Sequence, residues 1–227
     1  MKILIVSATQ EEIKPLANTL KVLLKNDFRT YQTELAGHQL TLLITGVGMV
    51  STAYRLGQIN LSDFDLAINA GIAGSFNESL AIGEMVNVYQ DCFAELGADY
   101  GDKFISLNRL NFSGEYSEPF FSEDGFIKNQ TAIKNPEIEK IKKVSAITVN
   151  TLSSESSRIE KMLKNFSPDI ESMEGAAFFY ACLAQNISCF QLRTISNYIE
   201  PRNLNNWNIP FAIALLNKKL PEIIKAF

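Results

Sequence analysis

Residues 1–24, MKILIVSATQEEIKPLANTLKVLL, change periodicity between Ser7 and Thr9. Ile3 to Val6 is a continuous apolar, mostly β-branched run, the pattern of a parallel strand buried on both faces. Beyond Thr9, Ile13, Leu16, Leu20, Leu23 and Leu24 recur at helical spacing. A buried strand therefore feeds an amphipathic helix, and the same alternation returns along the chain. It predicts an α/β class protein: a single domain of three layers in which a central mixed β-sheet is flanked by helices. The 227 residues suffice for one sizeable core and contain no repeat or linker-like stretch, so residues 1–227 are expected to form one domain.

Working outward, Phe28 to Leu35 alternates and His38 to Ile44 reads as a second strand, the two pairing around Ala36-Gly37. Gly46-Val47-Gly48 interrupts the pattern before a helix over about 50–59. Phe64 to Asn69 is a buried strand closed by Ala70-Gly71-Ile72-Ala73-Gly74-Ser75, and Met85 to Tyr89 a strand after the Gly83 turn. Residues 95–140 are aromatic and lack firm periodicity, as expected of a long excursion covering a site. Val144 to Val149 is a strand, Ser154 to Phe166 a helix, and Met173 to Gln185 an almost wholly apolar helix buried on most faces. Cys189 to Ile195 is a further strand, and a final amphipathic helix lies within Asn205 to Ala226.

The charge balance excludes several partners. With 25 acidic against 21 basic residues the formal net charge is -4, unlike a binder of phosphate backbones. The lysines of Lys134 to Lys143 and Lys218 to Lys219 are interspersed with glutamates and read as solvated helix faces. Cys92, Cys182 and Cys189 form no CxxC or Cys/His pattern, so buried free thiols are expected rather than a disulfide framework or a metal site. The apolar stretch near the N-terminus is too short for a signal-peptide core, and no later run approaches a membrane span. A cytoplasmic protein that binds neither nucleic acid nor membrane is expected.

In an α/β sheet, ligands gather at the carboxyl ends of strands. The residues there are glycines, small hydroxyls, amides and a few acids. Neither glycine turn matches a dinucleotide or P-loop motif; a tight turn and a close backbone approach to a ligand both remain open. Thr9-Gln10-Glu11-Glu12 has the form of a capping box, which accounts for Glu12 structurally. Glu174 sits among apolar and small neighbours. A buried carboxylate costs several kcal/mol unless paired or hydrogen-bonded. A nearby pairing group or a polyhydroxylated ligand meets that need, and a helix N-terminal position is the structural alternative. His38 is the only histidine and lies in a strand, so acid–base chemistry is left to carboxylates and amides.

Ser172-Met173-Glu174-Gly175-Ala176-Ala177 resembles the ME-containing helix of the purine nucleoside phosphorylase and nucleosidase superfamily. The opening strand with Glu12, Thr45-Gly46-Val47-Gly48, Ala70 to Gly74 and Arg193-Thr194-Ile195-Ser196-Asn197 follow in that family's order. The resemblance spans the chain and implies the single-domain three-layer phosphorylase/hydrolase-like fold and cleavage of an N-ribosidic bond. It implies that Met173 packs under the ribose and that Glu174 accepts hydrogen bonds from its 2′- and 3′-hydroxyls. Glu12 acts on the attacking water with Arg193 nearby, and Asn197 faces the departing purine. Gly74, Val149, Ser172 and Ser196 are the further substrate-binding positions it implies. Carboxylates beside an oxocarbenium-like sugar stabilise its positive charge.

Phosphorylases of this fold hold phosphate with arginines on the early glycine-rich loop and beside the middle glycine turn. Residues 1–53 contain only Arg29, and no arginine adjoins Gly71 to Ser75. Hydrolysis by water, without a cofactor, is expected. Methylthioadenosine/S-adenosylhomocysteine nucleosidases carry aspartate where this chain has Asn197, and serine where it has Ile72. An asparagine amide suits a 6-oxopurine, accepting from a protonated N7 and donating to O6. Phe93 to Asp99, Thr148 to Thr151, and Ser196 to Tyr198 with Arg202, Asn203 and Trp207 resemble the futalosine hydrolase branch. That implies release of hypoxanthine from futalosine, an inosine-like nucleoside of an alternative menaquinone pathway with a carboxyphenyl ketone at its 5′ end. An adenine-releasing nucleosidase and a nucleoside-binding protein without turnover are the alternatives. The resemblance also implies a homo-oligomer, a dimer or larger.

Overall fold

A computed structural model describes residues 1–22, 30–101, 103–107, 109–110, 121–201 and 206–227. The opening unit is strand β1 (Lys2–Ser7) followed by helix α1 (Gln10–Thr19). β2 (Thr30–Leu35) and β3 (His38–Ile44) form the expected hairpin. Its turn holds Ala36 and Gly37 at φ 53° and 81°, the two positive values that match a tight turn to the twist of its strands. Helix α2 (Met49–Gly57) leads to β4 (Leu66–Ser75), β5 (Met85–Cys92), and the short β6 (Gly97–Asp99), β7 (Phe104–Ser106) and β8 (Phe126–Lys128). After α3 (Pro136–Glu139) come β9 (Lys142–Thr148), α4 (Ser156–Phe166), β10 (Ile170–Ser172), α5 (Gly175–Ala184), β11 (Cys189–Tyr198) and α6 (Ile209–Lys225).

The main sheet runs β10-β9-β5-β11-β4-β1-β3-β2, with β8 on β5, while β6 and β7 pair separately. β3, β1, β4 and β11 are parallel, and β5 returns antiparallel beside β11. β9 and β10 follow in parallel, and β10 then pairs antiparallel with β4. That last pairing closes β4, β11, β5, β9 and β10 into a ring at one end of the open sheet. Alternate residues of β1 face opposite cores, which is why its run is continuously apolar. Ile3 and Ile5 pack with Ile13 and Leu16 of α1 and Leu216, Leu220 and Ile223 of α6. Leu4 and Val6 share a second core with Phe178 and Phe179 of α5 and Leu56 of α2. Helices thus cover both faces, the expected three layers. A third cluster joins Cys92, Phe126, Ile147, Val149 and Met162.

Several boundaries differ from the sequence reading. Ala70 to Ser75, expected as a closing turn, is the second half of β4, because its ladder to β11 supplies the hydrogen bonds that glycine's weak strand propensity does not advertise. β11 likewise continues past Ile195 to Tyr198. α5 begins at Gly175, so Met173 and Glu174 precede its first turn rather than lie within it. β10, with three residues, is too short to show a period. The excursion at 95–140 contains β6, β7, β8 and α3 among its described residues. Leu23, Leu24, Phe28, Arg29, Arg202, Asn203 and Asn205 lie outside the described residues. Cys92, Cys182 and Cys189 are buried free thiols. Among the described residues, no helix is long and apolar enough to cross a membrane.

Candidate active site

Glu12 sits in the first turn of α1, where its carboxylate uses both oxygens. Oε2 accepts from the Thr9 N–H at 2.9 Å and hydroxyl at 3.1 Å, while Thr9 Oγ1 accepts from the Glu12 N–H at 3.3 Å. The capping box read from the sequence is therefore present. Oε1 is turned the other way and accepts from the Ile72 N–H of β4 at 3.2 Å. The helix itself is spliced just beyond. Pro15 interrupts it, and Asn217 of α6 inserts its amide into the ladder. The Asn217 Nδ2 donates to the Glu12 carbonyl at 2.8 Å and its Oδ1 accepts from the Leu16 N–H at 3.0 Å. Glu12 is thus tied to three separate elements. Burial pushes its carboxyl above the usual range, the Arg193 guanidinium opposes that shift, and Glu174 adds to it.

Arg193 lies in β11 directly across from Gly71 of β4 and is 1% exposed. A Cβ at Gly71 would lie 2.2 Å from Arg193 Nη1 and 2.9 Å from Glu12 Oε1, so only glycine lets both groups approach this point. Nη1 is 3.9 Å from Glu174 Oε2, and Nη2 meets no hydrogen-bonding group of the described residues. Glu174 is the N-cap of α5 but makes no capping bond through its side chain. Its Oε1 instead accepts from the Gly48 N–H at 3.0 Å, on the turn between β3 and α2. One buried guanidinium therefore acts on two buried carboxylates, one in α1 and one at the N-cap of α5.

Asn197 is placed by a β-bulge. β11 pairs Ile195 with Ala73 and Asn197 with Gly74, leaving Ser196 as the extra residue. The bulge re-aims both Ser196 and Asn197 at the site. Asn197 Nδ2 donates to the Tyr198 carbonyl at 3.1 Å, and its Oδ1 accepts from the Ser196 hydroxyl at 2.8 Å. A carbonyl only accepts, so the amide is fixed one way round, with one N–H and one lone pair still available.

Glu12, Gly74, Ser172, Met173, Glu174, Ser196 and Asn197 line one cavity of about 400 Å³. Arg193 stands behind Glu12 and Glu174 rather than on the cavity wall. Val149 is not brought to the wall: it packs in the third cluster, and its N–H donates to the Ser172 carbonyl at 3.0 Å. Leu152 and Ser153 of the same connection line the cavity instead, and Trp207, Ile209 and Ile213 give it an apolar side. Among the described residues that line it, none is lysine or arginine. His38 lies away from the cavity, its Nδ1 3.3 Å from the Met1 amino group. No group of His, Cys, Asp or Glu among the described residues has the arrangement of a metal site.

Sequence reasoning missed two further acids here. Glu171 lines the cavity and is held by the N–H of Ser153 at 2.9 Å and by its hydroxyl; burial pushes its carboxyl upward. It lies in β10, whose brevity hid it. Asp91 lies behind the site in β5, where burial raises its carboxyl to about 6 against hydrogen bonds from Gln191 and Thr148. A signal did exist in the neighbouring strand: Gln191 and Arg193 are polar residues within the continuously buried β11.

Residues 2–227 match the model of the Phosphorylase superfamily. The chain is similar to a 5′-methylthioadenosine/S-adenosylhomocysteine nucleosidase of Buchnera aphidicola, at 26% identity over 99% of this chain and 96% of that protein. It is similar to a futalosine hydrolase of Thermus thermophilus at 25% identity, covering 84% of this chain and 83% of the other. A Helicobacter pylori methylthioadenosine/S-adenosylhomocysteine nucleosidase variant, solved with 5′-methylthioadenosine in its active site, superposes with a TM-score of 0.81. It covers 100% of this chain and 99% of its own at 17% identity, a likeness of fold.

Proposed function

The chain belongs to the Phosphorylase superfamily, with relatives among its nucleosidases, and from that premise we propose that it hydrolyses the N-ribosidic bond of futalosine. Residues 1–227 act as one nucleosidase domain, in the cytoplasm, with water as co-substrate and no cofactor. Met173 packs under the ribose, and Glu174 accepts hydrogen bonds from the 2′- and 3′-hydroxyls. Glu12 takes a proton from the attacking water as its oxygen bonds to C1′. The bond from C1′ to N9 breaks, and its electron pair leaves with hypoxanthine, which is protonated at N7 from solvent, while Glu12 returns its proton to solvent. Arg193 steadies the two carboxylates while positive charge grows on the sugar. Gly74, Ser172 and Ser196 contribute to the walls around the nucleoside.

The observation that carries the choice of base is Asn197. Its amide, fixed in orientation by the Tyr198 carbonyl, shares one cavity with Glu12 and Glu174. The remaining lone pair accepts from a protonated N7 and the remaining N–H donates to O6. A 6-amino group sets donor against donor and leaves a buried group unpaired, at about 1–3 kcal/mol. The absence of lysine and arginine from the described cavity wall supports water over phosphate as acceptor.

The test is incubation of the purified protein with futalosine, methylthioadenosine and inosine, with and without phosphate, and identification of the base and sugar released. Hypoxanthine and free sugar from futalosine are expected, at a rate indifferent to phosphate. The kcat/KM for futalosine should exceed that for its 6-amino counterpart about tenfold or more. Asn197→Asp should narrow that ratio. A preference for the 6-amino nucleoside moves the assignment to the adenine nucleosidases, a sugar 1-phosphate product overturns hydrolysis, and binding without turnover favours the nucleoside-binding alternative.

The proposal includes a homo-oligomer of two or more copies. Val47, Val50 and Tyr54 stand 54%, 77% and 60% exposed along α2 and the turn before it, and Val47 also lines the cavity. Apolar side chains grouped beside a cavity mouth suit burial against another chain. Sedimentation should give a mass at least twice the 25.3 kDa of one chain, and a monomer at micromolar concentration would refute it.

A further inference from the structure

Behind Arg193 runs a buried polar chain that the proposed chemistry does not use. Asp91 Oδ2 accepts from Gln191 Nε2 at 3.0 Å, and Gln191 Oε1 accepts from Arg193 Nε at 3.2 Å. An ionised aspartate only accepts and an arginine only donates, so the Gln191 amide serves both in one orientation alone. Asp91 dictates that orientation. Its other oxygen accepts from the Thr148 hydroxyl at 2.9 Å, and Thr148 Oγ1 accepts from the Ala176 N–H in the first turn of α5 at 2.7 Å.

Two features show how tightly the chain is built in. A Cβ at Gly175 would lie 2.2 Å from both Asp91 Oδ2 and Gln191 Oε1, so the helix that follows Glu174 starts on glycine because the polar pair occupies that space. The register of β5 against β9 slips between Val88 and Gln90, which shifts the alternation by one residue and turns Asp91 toward Gln191.

We infer that Asp91 is a positioning residue for the catalytic centre: it fixes the Gln191 amide, which aims the Arg193 guanidinium at Glu174 and Glu12, and through Thr148 it anchors the turn beside Glu174. The inference rests on the hydrolytic reading of that centre. Asp91→Asn leaves one acceptor where two are needed. With its Nδ2 toward Thr148, that hydroxyl loses the oxygen it donates to; with its Nδ2 toward Gln191, Gln191 must flip and set its own N–H against that of Arg193 Nε. The double variant D91N/Q191E restores the order of donors and acceptors. Its amide at position 91 donates to the carboxylate at position 191, and that carboxylate accepts from Arg193.

The experiment compares wild type, D91N, Q191M and D91N/Q191E by steady-state kinetics on the nucleoside panel and by NMR of the Arg193 Nε–H in protein labelled with ¹⁵N-arginine. D91N and Q191M should lose about 10- to 100-fold in kcat with little change in KM. They should also shift and broaden the Arg193 resonance, and the double variant should recover most of both. Wild-type kcat and an unmoved resonance in D91N and Q191M, with only a lower Tm, would overturn the inference. So would a double variant that restores neither. Should D91N fail to fold, Q191M decides by the same two readouts. If the wild type cleaves no nucleoside, the proposed function fails by itself while the resonance still decides the positioning.

Discussion

Glu12→Gln is expected to reduce turnover by about 10²-fold or more, because an amide cannot take the proton of the attacking water. Its stability should change far less, through two opposing contributions. Burial raises the Glu12 carboxyl in the folded chain. A carboxyl so raised contributes stability that is present in full below its unfolded pKa and is lost as pH rises through the folded one. Above that folded value the ionised group is therefore a cost, which glutamine removes. Against this, both oxygens of Glu12 accept N–H groups, from Thr9 and from Ile72. The amide nitrogen must face one of them, at about 1–3 kcal/mol. The net shift in Tm should stay within several degrees, since 1 kcal/mol is about 2–4 °C for a chain of this size. The acidic limb of the wild-type kcat/KM profile should lie above the ordinary carboxylate range and disappear from the variant. Near-normal turnover would leave Glu12 as a helix cap alone.

Glu174→Gln comes second in expected effect. A charged acceptor of the ribose hydroxyls becomes a neutral one, and hydrogen bonds to a charged group contribute about 1.5–3 kcal/mol, or about 10- to 150-fold in kcat/KM. Both binding and catalysis should suffer, because the charge assists the ground state and the oxocarbenium-like transition state. The variant also removes a charge 3.9 Å from the Arg193 guanidinium, which leaves Glu12 to balance more of it. Double-mutant comparison with Glu12→Gln should therefore show strong non-additivity. If Glu174→Gln lowers Tm and leaves kcat/KM intact, the carboxylate serves only to hold the Gly48 N–H.

The legible part of the site was carried by residues that contradict their surroundings. Glu174 stood out because an acid among apolar neighbours needs a reason, and its reason is the Gly48 N–H beside a buried guanidinium. Asp91 did not stand out, because the slip of register beside Tyr89 breaks the alternation that would have placed it opposite Gln191. Val149 was implied at the site by resemblance, yet its side chain joins a core, and the connection's later residues Leu152 and Ser153 reach the cavity.

The sequence by itself determined the class of fold, since runs such as Ile3 to Val6 and spacings such as Ile13 and Leu16 are local consequences of burial on known periods. It also determined the capping box at Thr9, whose partners are three residues apart. Only the tertiary structure decided that β10 closes a ring with β4, that a bulge aims Ser196 and Asn197 into the cavity, and that Asn217 splices α1 from 205 residues away. The physical reason is range. Periodicity records which face of an element is buried, whereas register, bulges and side-chain hydrogen bonds depend on which distant strand or helix supplies the partner, and that is settled only when the sheet assembles.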